Sequence, residues 1–172
     1  MIPEQDPAYE VLGLLGEELA SGDVTNRLVA ADGDAPAQLV IPLVADSGAE
    51  ATVLLCFLPE HDYPAVLQYM VPFEYDVEPS AVETTARFLH MLNTSLPLTG
   101  FELGETASAV VFRYIQPVAL QPLDPAVVAW PLSMIFHAVT RFEPLIAQAC
   151  AGAPMADLVS GFGRVMAELY RS

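Results

Sequence analysis

Lysine is absent from this 172-residue sequence, and its absence excludes several kinds of catalysis. A Walker A loop requires a lysine on the nucleotide phosphates, and enzymes that form Schiff bases require a lysine amine. The sequence also contains no G-x-S-x-G nucleophile elbow, and no G-x-G-x-x-G turn follows a strand-like segment. Because no catalytic signature is present, we expect a protein without enzymatic activity.

Cysteine and histidine are scarce and are not spaced as metal ligands. Cys56 and Cys150 each lack a second cysteine nearby, which excludes a C-x-x-C metal or redox pair. The histidines, His61, His90 and His137, show no H-E-x-x-H spacing. We therefore predict two buried free thiols, no metal site and no cofactor.

Positive charge is restricted to six arginines against 22 carboxylates, so the formal net charge is −16. Residues 1–83 contain sixteen of the carboxylates and a single cation, Arg27, whereas residues 84–172 are nearly neutral. Nucleic acids and anionic membranes are bound through clustered lysine and arginine, so we expect neither as a partner. A basic or amphipathic polypeptide is the partner that this charge attracts.

Long apolar runs are absent, although the composition is apolar overall. The longest uncharged apolar run, residues 126–136, is too short to span a bilayer. The first ten residues are acidic and lack the basic start and apolar centre of a signal peptide, so we expect a cytoplasmic location. With 53% hydrophobic and 16% charged residues, the chain has more apolar surface than one small core hides, which predicts a protein–protein interface.

Hydrophobic periodicity and turn sequences predict a single α+β domain over residues 1–172. Its antiparallel sheet has five to six strands packed with helices, in the order α-β-β-β-β-α-β-β-α-α. The predicted helices span residues 7–20, 80–94, 124–151 and 154–170. The predicted strands span residues 24–30, 38–45, 50–58, 65–71, 99–103 and 107–116.

Local signals add expectations for three of the helices. Ser80 and Glu83 form a capping-box sequence at the start of the second helix. Pro131 and Pro144 lack the amide hydrogen that a helix interior requires, so we expect them to kink or interrupt the third helix. Gly161 is expected to weaken the fourth.

The second predicted helix is apolar on more than one side, because Phe88 and Met91 widen its apolar stripe. One surface of a two-layer fold does not easily bury both sides of a helix. We therefore predict a homodimer with Thr84, Phe88 and Met91 as self-association residues. The alternative is a helix set deep between the sheet and the C-terminal helices.

One local cluster, Glu60, His61 and Asp62, has acid–base potential. Two carboxylates and an imidazole can meet a divalent metal, but consecutive residues on a turn point in divergent directions. An enzyme or a small-molecule-binding protein is thus an alternative class, with a site assembled from dispersed residues. In that alternative the cluster faces Arg113 or Tyr114.

Three segments in the middle of the sequence have features of a known family. The segment Asn-Thr-Ser-Leu-Pro-Leu-Thr-Gly-Phe-Glu-Leu-Gly at 93–104 contains a Leu-Pro and a Gly-Phe pair, and the strand Val-Val-Phe-Arg-Tyr-Ile-Gln-Pro at 110–117 contains an Arg-Tyr pair. The segment Leu-Gln-Tyr-Met-Val-Pro at 67–72 comes before them. These segments resemble the YbjN-like family, in which such a turn leads into a hairpin whose second strand often carries an Arg-Tyr pair. Members of this family resemble type III secretion chaperones in fold.

The resemblance implies a chaperone-like core over residues 7–151, with residues 154–170 as an additional helix. It also implies an often dimeric α+β protein that binds polypeptide across apolar patches and transforms no substrate. We therefore expect a non-enzymatic, chaperone-like or adaptor protein. A structural subunit of a larger assembly is a further alternative beside the enzyme or small-molecule binder.

Overall fold

The computed structural model describes residues 7–33, 35–44, 48, 50–58, 65–104, 108–118, 123–169 and 171. The elements, in chain order, are α1 (Pro7–Ser21), β1 (Arg27–Val29), β2 (Gln38–Val44), β3 (Glu50–Phe57), β4 (Ala65–Asp76), α2 (Val82–Ser95), β5 (Phe101–Gly104), β6 (Ala109–Val118), α3 (Pro125–Cys150) and α4 (Met155–Leu169). The strands form one sheet in the order β1-β2-β3-β4-β6-β5. The predicted α+β class, antiparallel sheet and order of elements are confirmed.

The chain divides into two compact units. The first contains Met1–Val71 and Tyr114–Met134, and the second contains Pro72–Arg113 and Ile135–Ser172. The first unit therefore includes α1 and β1 to β3, and the second includes α2, β5 and α4. β4, β6 and α3 contribute residues to both units.

In the first unit, α1 packs on one side of the sheet. Its apolar residues recur at helical spacing, so that one stripe of the helix is buried: Val11, Leu12, Leu15 and Leu19. A Cβ atom on Gly16 would lie 3.0 Å from Leu39 Cδ1 and 2.8 Å from Asn26 Oδ1. A side chain at position 16 would therefore crowd Asn26 and Leu39, and glycine avoids this where α1 meets β2.

Cross-strand pairing arranges the core of the first unit in rows. Leu28 lies opposite Leu39, Leu39 opposite Leu55, and Leu55 opposite Tyr69. Residues directly opposite each other point to the same face of a sheet. Leu39, Leu55 and Tyr69 are fully buried. We call the side on which this row lies, and against which α1 packs, the covered face.

Two side-chain hydrogen bonds connect β4, β6 and α3 within the first unit. The Tyr69 hydroxyl donates to Gln116 Oε1 at 2.8 Å, and Gln116 Nε2 donates to the Val127 carbonyl at 3.5 Å. That carbonyl would normally accept the amide hydrogen of residue 131, which Pro131 lacks. α3 is one helix over Pro125–Cys150, so the expectation that Pro131 or Pro144 interrupts it is wrong.

Two strand boundaries differ from the sequence prediction. β1 starts at Arg27 and not at Val24, because the Val24 amide donates to the Leu19 carbonyl at 3.0 Å and closes the end of α1. β4 continues to Asp76, beyond the predicted end before Pro72. Proline is tolerated in a strand where its missing amide hydrogen has no partner to lose.

In the second unit, α2 begins without the predicted capping box. Its N-cap is Ala81, which has helical dihedrals (φ −97°, ψ −9°) and makes no side-chain cap hydrogen bond. The Ala81 amide instead donates to the Glu78 carbonyl at 2.7 Å, within a tight turn. A capping serine needs extended backbone at the N-cap, so the capping role predicted for Ser80 and Glu83 is wrong.

Asn93 joins the end of α2 to the start of β5. Its Nδ2 donates to the Phe101 carbonyl at 2.8 Å, and its Oδ1 accepts from the amides of Gly100 (3.1 Å) and Phe101 (3.0 Å). A Cβ atom on Gly100 would lie 2.7 Å from both the Arg113 carbonyl oxygen and the Phe112 ring. These residues of the family-like segment therefore have an architectural role.

The second half of α3 packs against α4 in the same unit. Gly161 is buried against the Leu145 side chain, and the rings of Phe142 and Phe162 stack with centroids 5.7 Å apart. Gly161, expected to weaken α4, is thus a point of close packing between helices.

Replacement of Asn93 by alanine should lower the free energy of unfolding by about 2 kcal/mol, because two backbone amides and one carbonyl lose their partner. Urea unfolding monitored by circular dichroism measures the change. Thr94→Ala is the matched control, since the Thr94 hydroxyl is exposed and donates only to the Met91 carbonyl. A change below about 0.5 kcal/mol is expected for this control. Equal stability of both variants would contradict the role of Asn93.

Candidate functional site

The side of the first unit's sheet opposite the covered face is the candidate functional site, and we call it the open face. Strand alternation assigns it the following residues: Arg27, Val29, Gln38, Val40, Pro42, Val44, Glu50, Thr52, Leu54, Cys56, Gln68 and Met70. Both α1 and the Val127 end of α3 lie against the other side. Most open-face side chains are half-buried or exposed.

An apolar row crosses the middle of the open face. Arg27 lies opposite Val40, Val40 opposite Leu54, and Leu54 opposite Met70. With strands about 4.8 Å apart, the four residues span about 14 Å. Val40, Leu54 and Met70 are all half-buried, so each keeps part of its surface exposed. We call these three residues the apolar row.

The residues on either side of the apolar row differ in chemistry. One neighbouring row consists of Val29, Gln38, Cys56 and Gln68, in which the Gln68 amide lies 3.7 Å from the Cys56 thiol. On the other side Pro42 faces Thr52, and Val44 faces Glu50. Val44 is 63% exposed. Apolar groups thus continue along β2 as far as Val44, which faces the carboxylate of Glu50 at the start of β3.

This apolar character is unusual for the outer side of an antiparallel sheet. Such sheets normally alternate apolar residues toward the core with polar residues toward water. In β2 the outward positions 40, 42 and 44 are all apolar. Ile115 on β6 is a further outward apolar residue of the first unit, and it is 42% exposed. The open face therefore has the composition of a surface that meets another molecule.

Electrostatics distinguish the first unit from the second. The sequence of the first unit contains thirteen carboxylates and one cation, a net charge of −12. That cation, Arg27, lies on the open face opposite Val40. Glu50, the first residue of β3, lies on the same face opposite Val44. The second unit contains nine carboxylates and five arginines, a net charge of −4.

Arg113 and Tyr114, the described residues of the alternative polar site, contact different neighbours. Arg113 points outward and pairs with Glu102 through two hydrogen bonds of 2.9 and 3.0 Å. Tyr114, the next residue of β6, instead contacts the Tyr69 ring at a centroid distance of 5.7 Å. Glu60, His61 and Asp62 lie outside the described residues. Among the described residues, no group of three or more His, Cys, Asp or Glu side chains could hold a metal ion.

The three predicted self-association residues of α2 differ in exposure. Phe88 is fully buried within the chain, whereas Thr84 and Met91 are half-buried. The exposed side of α2 instead contains the Glu83–Arg87 ion pair, at 3.9 Å, and His90. Phe88 is therefore a core residue, which matches the alternative of a deeply set helix.

Sequence reasoning did not identify the open face. The signal for this face is the sequence of β2, Gln-Leu-Val-Ile-Pro-Leu-Val, in which only one residue of seven is polar. A strand without alternation indicates two apolar sides, and a two-layer fold covers only one of them.

Burial affects the two thiols and two of the tyrosines. Desolvation raises the pKa of the Cys56 and Cys150 thiols above the usual range for cysteine. Desolvation also raises the pKa of Tyr69 and Tyr75. Tyr114 adds to the increase for Tyr69, and Glu143 and Cys150 add to the increase for Tyr75. The prediction of two buried free thiols is confirmed. Thiols held in their neutral form are poor nucleophiles and poor metal ligands.

No model of a known protein family matches the sequence, and no curated protein sequence matches it.

Within the described part of the chain, no helix combines the length and the apolar character needed to cross a membrane. The geometry of the open face is therefore the main basis for a functional proposal.

The buried thiols should make the protein less stable at alkaline pH. Their pKa is higher in the folded than in the unfolded chain, so unfolding releases protons once the pH passes the unfolded value of about 8.5. The free energy of unfolding should be constant from pH 7 to 8 and fall between pH 8.5 and 10 by up to about 1.4 kcal/mol per pH unit for each thiol.

Urea titrations at several pH values measure this decline. In a Cys56→Ala/Cys150→Ala variant the decline should be much shallower, because tyrosines contribute only above about pH 10. The same decline in the variant and the wild type would show that the thiols are not its cause.

Proposed function

We propose that this protein is a non-enzymatic, chaperone-like or adaptor protein that binds a polypeptide partner on the open face. The observation that carries the proposal is the apolar row Val40–Leu54–Met70, which lies on the side of the sheet away from α1. A cytoplasmic location is part of the proposal.

The shape of the surface favours a polypeptide over a small molecule. Small-molecule sites are concave and enclose most of their ligand, whereas one face of a sheet presents a broad surface of neighbouring strands. Apolar groups exposed over several strands can be covered by a partner of similar width. The polar groups of the alternative site, Arg113 and Tyr114, are engaged with Glu102 and Tyr69.

The order of elements supports a chaperone-like role. It agrees with the arrangement that the YbjN-like resemblance implies, although fold alone does not determine function. The high negative charge is consistent with a protein that stays soluble while it presents apolar surface.

Replacement of Leu54 by serine should remove most of the binding capacity. The test measures how well the protein suppresses the aggregation of chemically reduced insulin, a non-native client. We expect suppression by the wild type and at least about fivefold weaker suppression by Leu54→Ser, since one of three apolar row residues is lost. Met70→Ser should have the same effect.

Leu14→Ser is the matched control for this experiment. Leu14 is 62% exposed on α1, the helix of the covered face, so its loss should leave suppression unchanged. Thermal unfolding of each variant checks that it is folded. Full suppression by folded Leu54→Ser and Met70→Ser variants would refute the open face as the binding surface.

A homodimer is the second part of the proposal, and features of the second unit favour its location there. Its net charge of −4 opposes self-association less than the −12 of the first unit. On α4, Val159 is 45% exposed, and Met155 and Phe162 lie at helical spacing from it and are half-buried. We propose that a second copy covers this side of α4.

Light scattering should therefore give twice the chain mass of 18.5 kDa for the wild type. Val159→Asp should give a folded monomer, because an unpaired charge in an apolar interface is costly. Ser160→Asp, at an exposed neighbouring position, is the control and should remain dimeric. A monomeric wild type at micromolar concentration would contradict the dimer.

A further inference from the structure

We infer that the partner of the open face is an extended polypeptide segment that combines apolar with basic residues, with its basic end directed toward Glu50 and away from Arg27. The inference rests on the proposed function, because it specifies the partner of the same surface. It is argued from the charges of the first unit and from their positions on the open face.

Charge selects a cationic partner. The first unit contains a single positive side chain, while its described carboxylates are distributed over α1, the strands and the turns: Glu10, Glu17, Glu18, Asp23, Asp32, Glu50 and Asp124. Complementary potentials accelerate association and disfavour wrong partners. A second copy placed on the open face would bring another unit of net charge −12 against the first, so the open face is unsuitable for self-association.

The strand register selects an extended segment. Along β3, the open-face residues Glu50, Thr52 and Leu54 recur every second residue, about 7 Å apart. A partner chain in extended conformation repeats its side chains at the same interval on each of its two sides. When it aligns with β3, its apolar side chains can meet Leu54 and the outward residues of β2. A basic side chain on the same side of the segment, four residues further along, can then meet Glu50.

The two charges of the open face determine the direction of the partner. Arg27 adjoins Val40 at the β1 end of the apolar row. Glu50 lies at the opposite corner, opposite Val44 and four residues before Leu54 along β3. A positive group is repelled near Arg27 and attracted near Glu50. The two residues should therefore have opposite effects on the binding of a cationic segment.

The test uses dye-labelled peptides of about twelve residues in which every second residue is serine, and the remaining residues are valine in one half and lysine, glutamate or serine in the other half. Fluorescence anisotropy with the full-length protein measures the dissociation constants. The lysine peptide should bind at least about tenfold more tightly than the glutamate peptide at low salt, and the difference should shrink as salt screens the charges. The serine peptide should bind with intermediate affinity.

Substitutions locate the effect on the open face. Glu50→Gln should weaken binding of the lysine peptide about threefold, and Arg27→Gln should strengthen it about threefold. Glu17→Gln is the matched control: it makes the same charge change as Glu50→Gln, but on the exposed side of α1. At about 0.15 M salt it should alter affinity by less than about 1.5-fold, because the screening length of about 8 Å weakens its interaction with the peptide.

Trp130 provides an independent check of location. It is the only tryptophan, it is 59% exposed, and it belongs to α3, whose Val127 end lies on the covered side of the sheet. Binding at the open face should leave its emission maximum unchanged. A blue shift on addition of the lysine peptide would place the peptide on α3 and overturn the inference.

The outcomes separate this inference from the proposed function. If the lysine, serine and glutamate peptides bind with equal affinity and Leu54→Ser abolishes this binding, the preference for a cationic partner is overturned. The proposed polypeptide-binding function then stands. Equal effects of Glu50→Gln and Glu17→Gln would overturn the assigned direction. Binding of none of the peptides, together with no suppression of insulin aggregation, would overturn both.

Discussion

The cross-strand register of β1 to β4 is the constraint on which the first unit depends. It aligns Leu28, Leu39, Leu55 and Tyr69 on one side of the sheet. The same register necessarily aligns Val40, Leu54 and Met70 on the other side, because successive residues of a strand point to opposite faces. A shift by one residue would exchange the two faces completely. The core and the candidate binding surface are thus two results of one pairing.

The covered side is stabilised by close packing, whereas the open side is available for binding. α1 comes near enough to β2 that a side chain at position 16 would crowd Asn26 and Leu39, and Gln116 joins the Tyr69 hydroxyl to the carbonyl left free by Pro131. Leu39 and Tyr69, which take part in these contacts, are fully buried, so their loss is costly. The apolar row makes no comparable contribution to the core, so its chemistry can serve a partner. In the second unit, Asn93 and Gly161 have a similar structural role.

Much of the fold could be predicted, because its signals are local. The helical spacing of Val11, Leu15 and Leu19 and the turn sequences between the strands led to the correct order of elements. Errors arose where distant groups intervene. Ser80 has the right residue type for a cap, but the turn from Glu78, whose amide donates to the distant Cys150 carbonyl, places Ala81 there. The apolar pattern of α2 predicts either an interface or a deep position for Phe88, and its burial depends on elements far away in the sequence.

The sequence by itself determined the α+β class, the uneven charge and the absence of catalytic signatures, since these follow from composition and short-range pattern. It also indicated an excess of apolar surface. Only the tertiary structure decided where that excess lies. Strand pairing is a contact between residues distant in the chain, and it alone brings Val40, Leu54 and Met70 into one row. The position of Arg27 and Glu50 beside that row was decided by the same pairing.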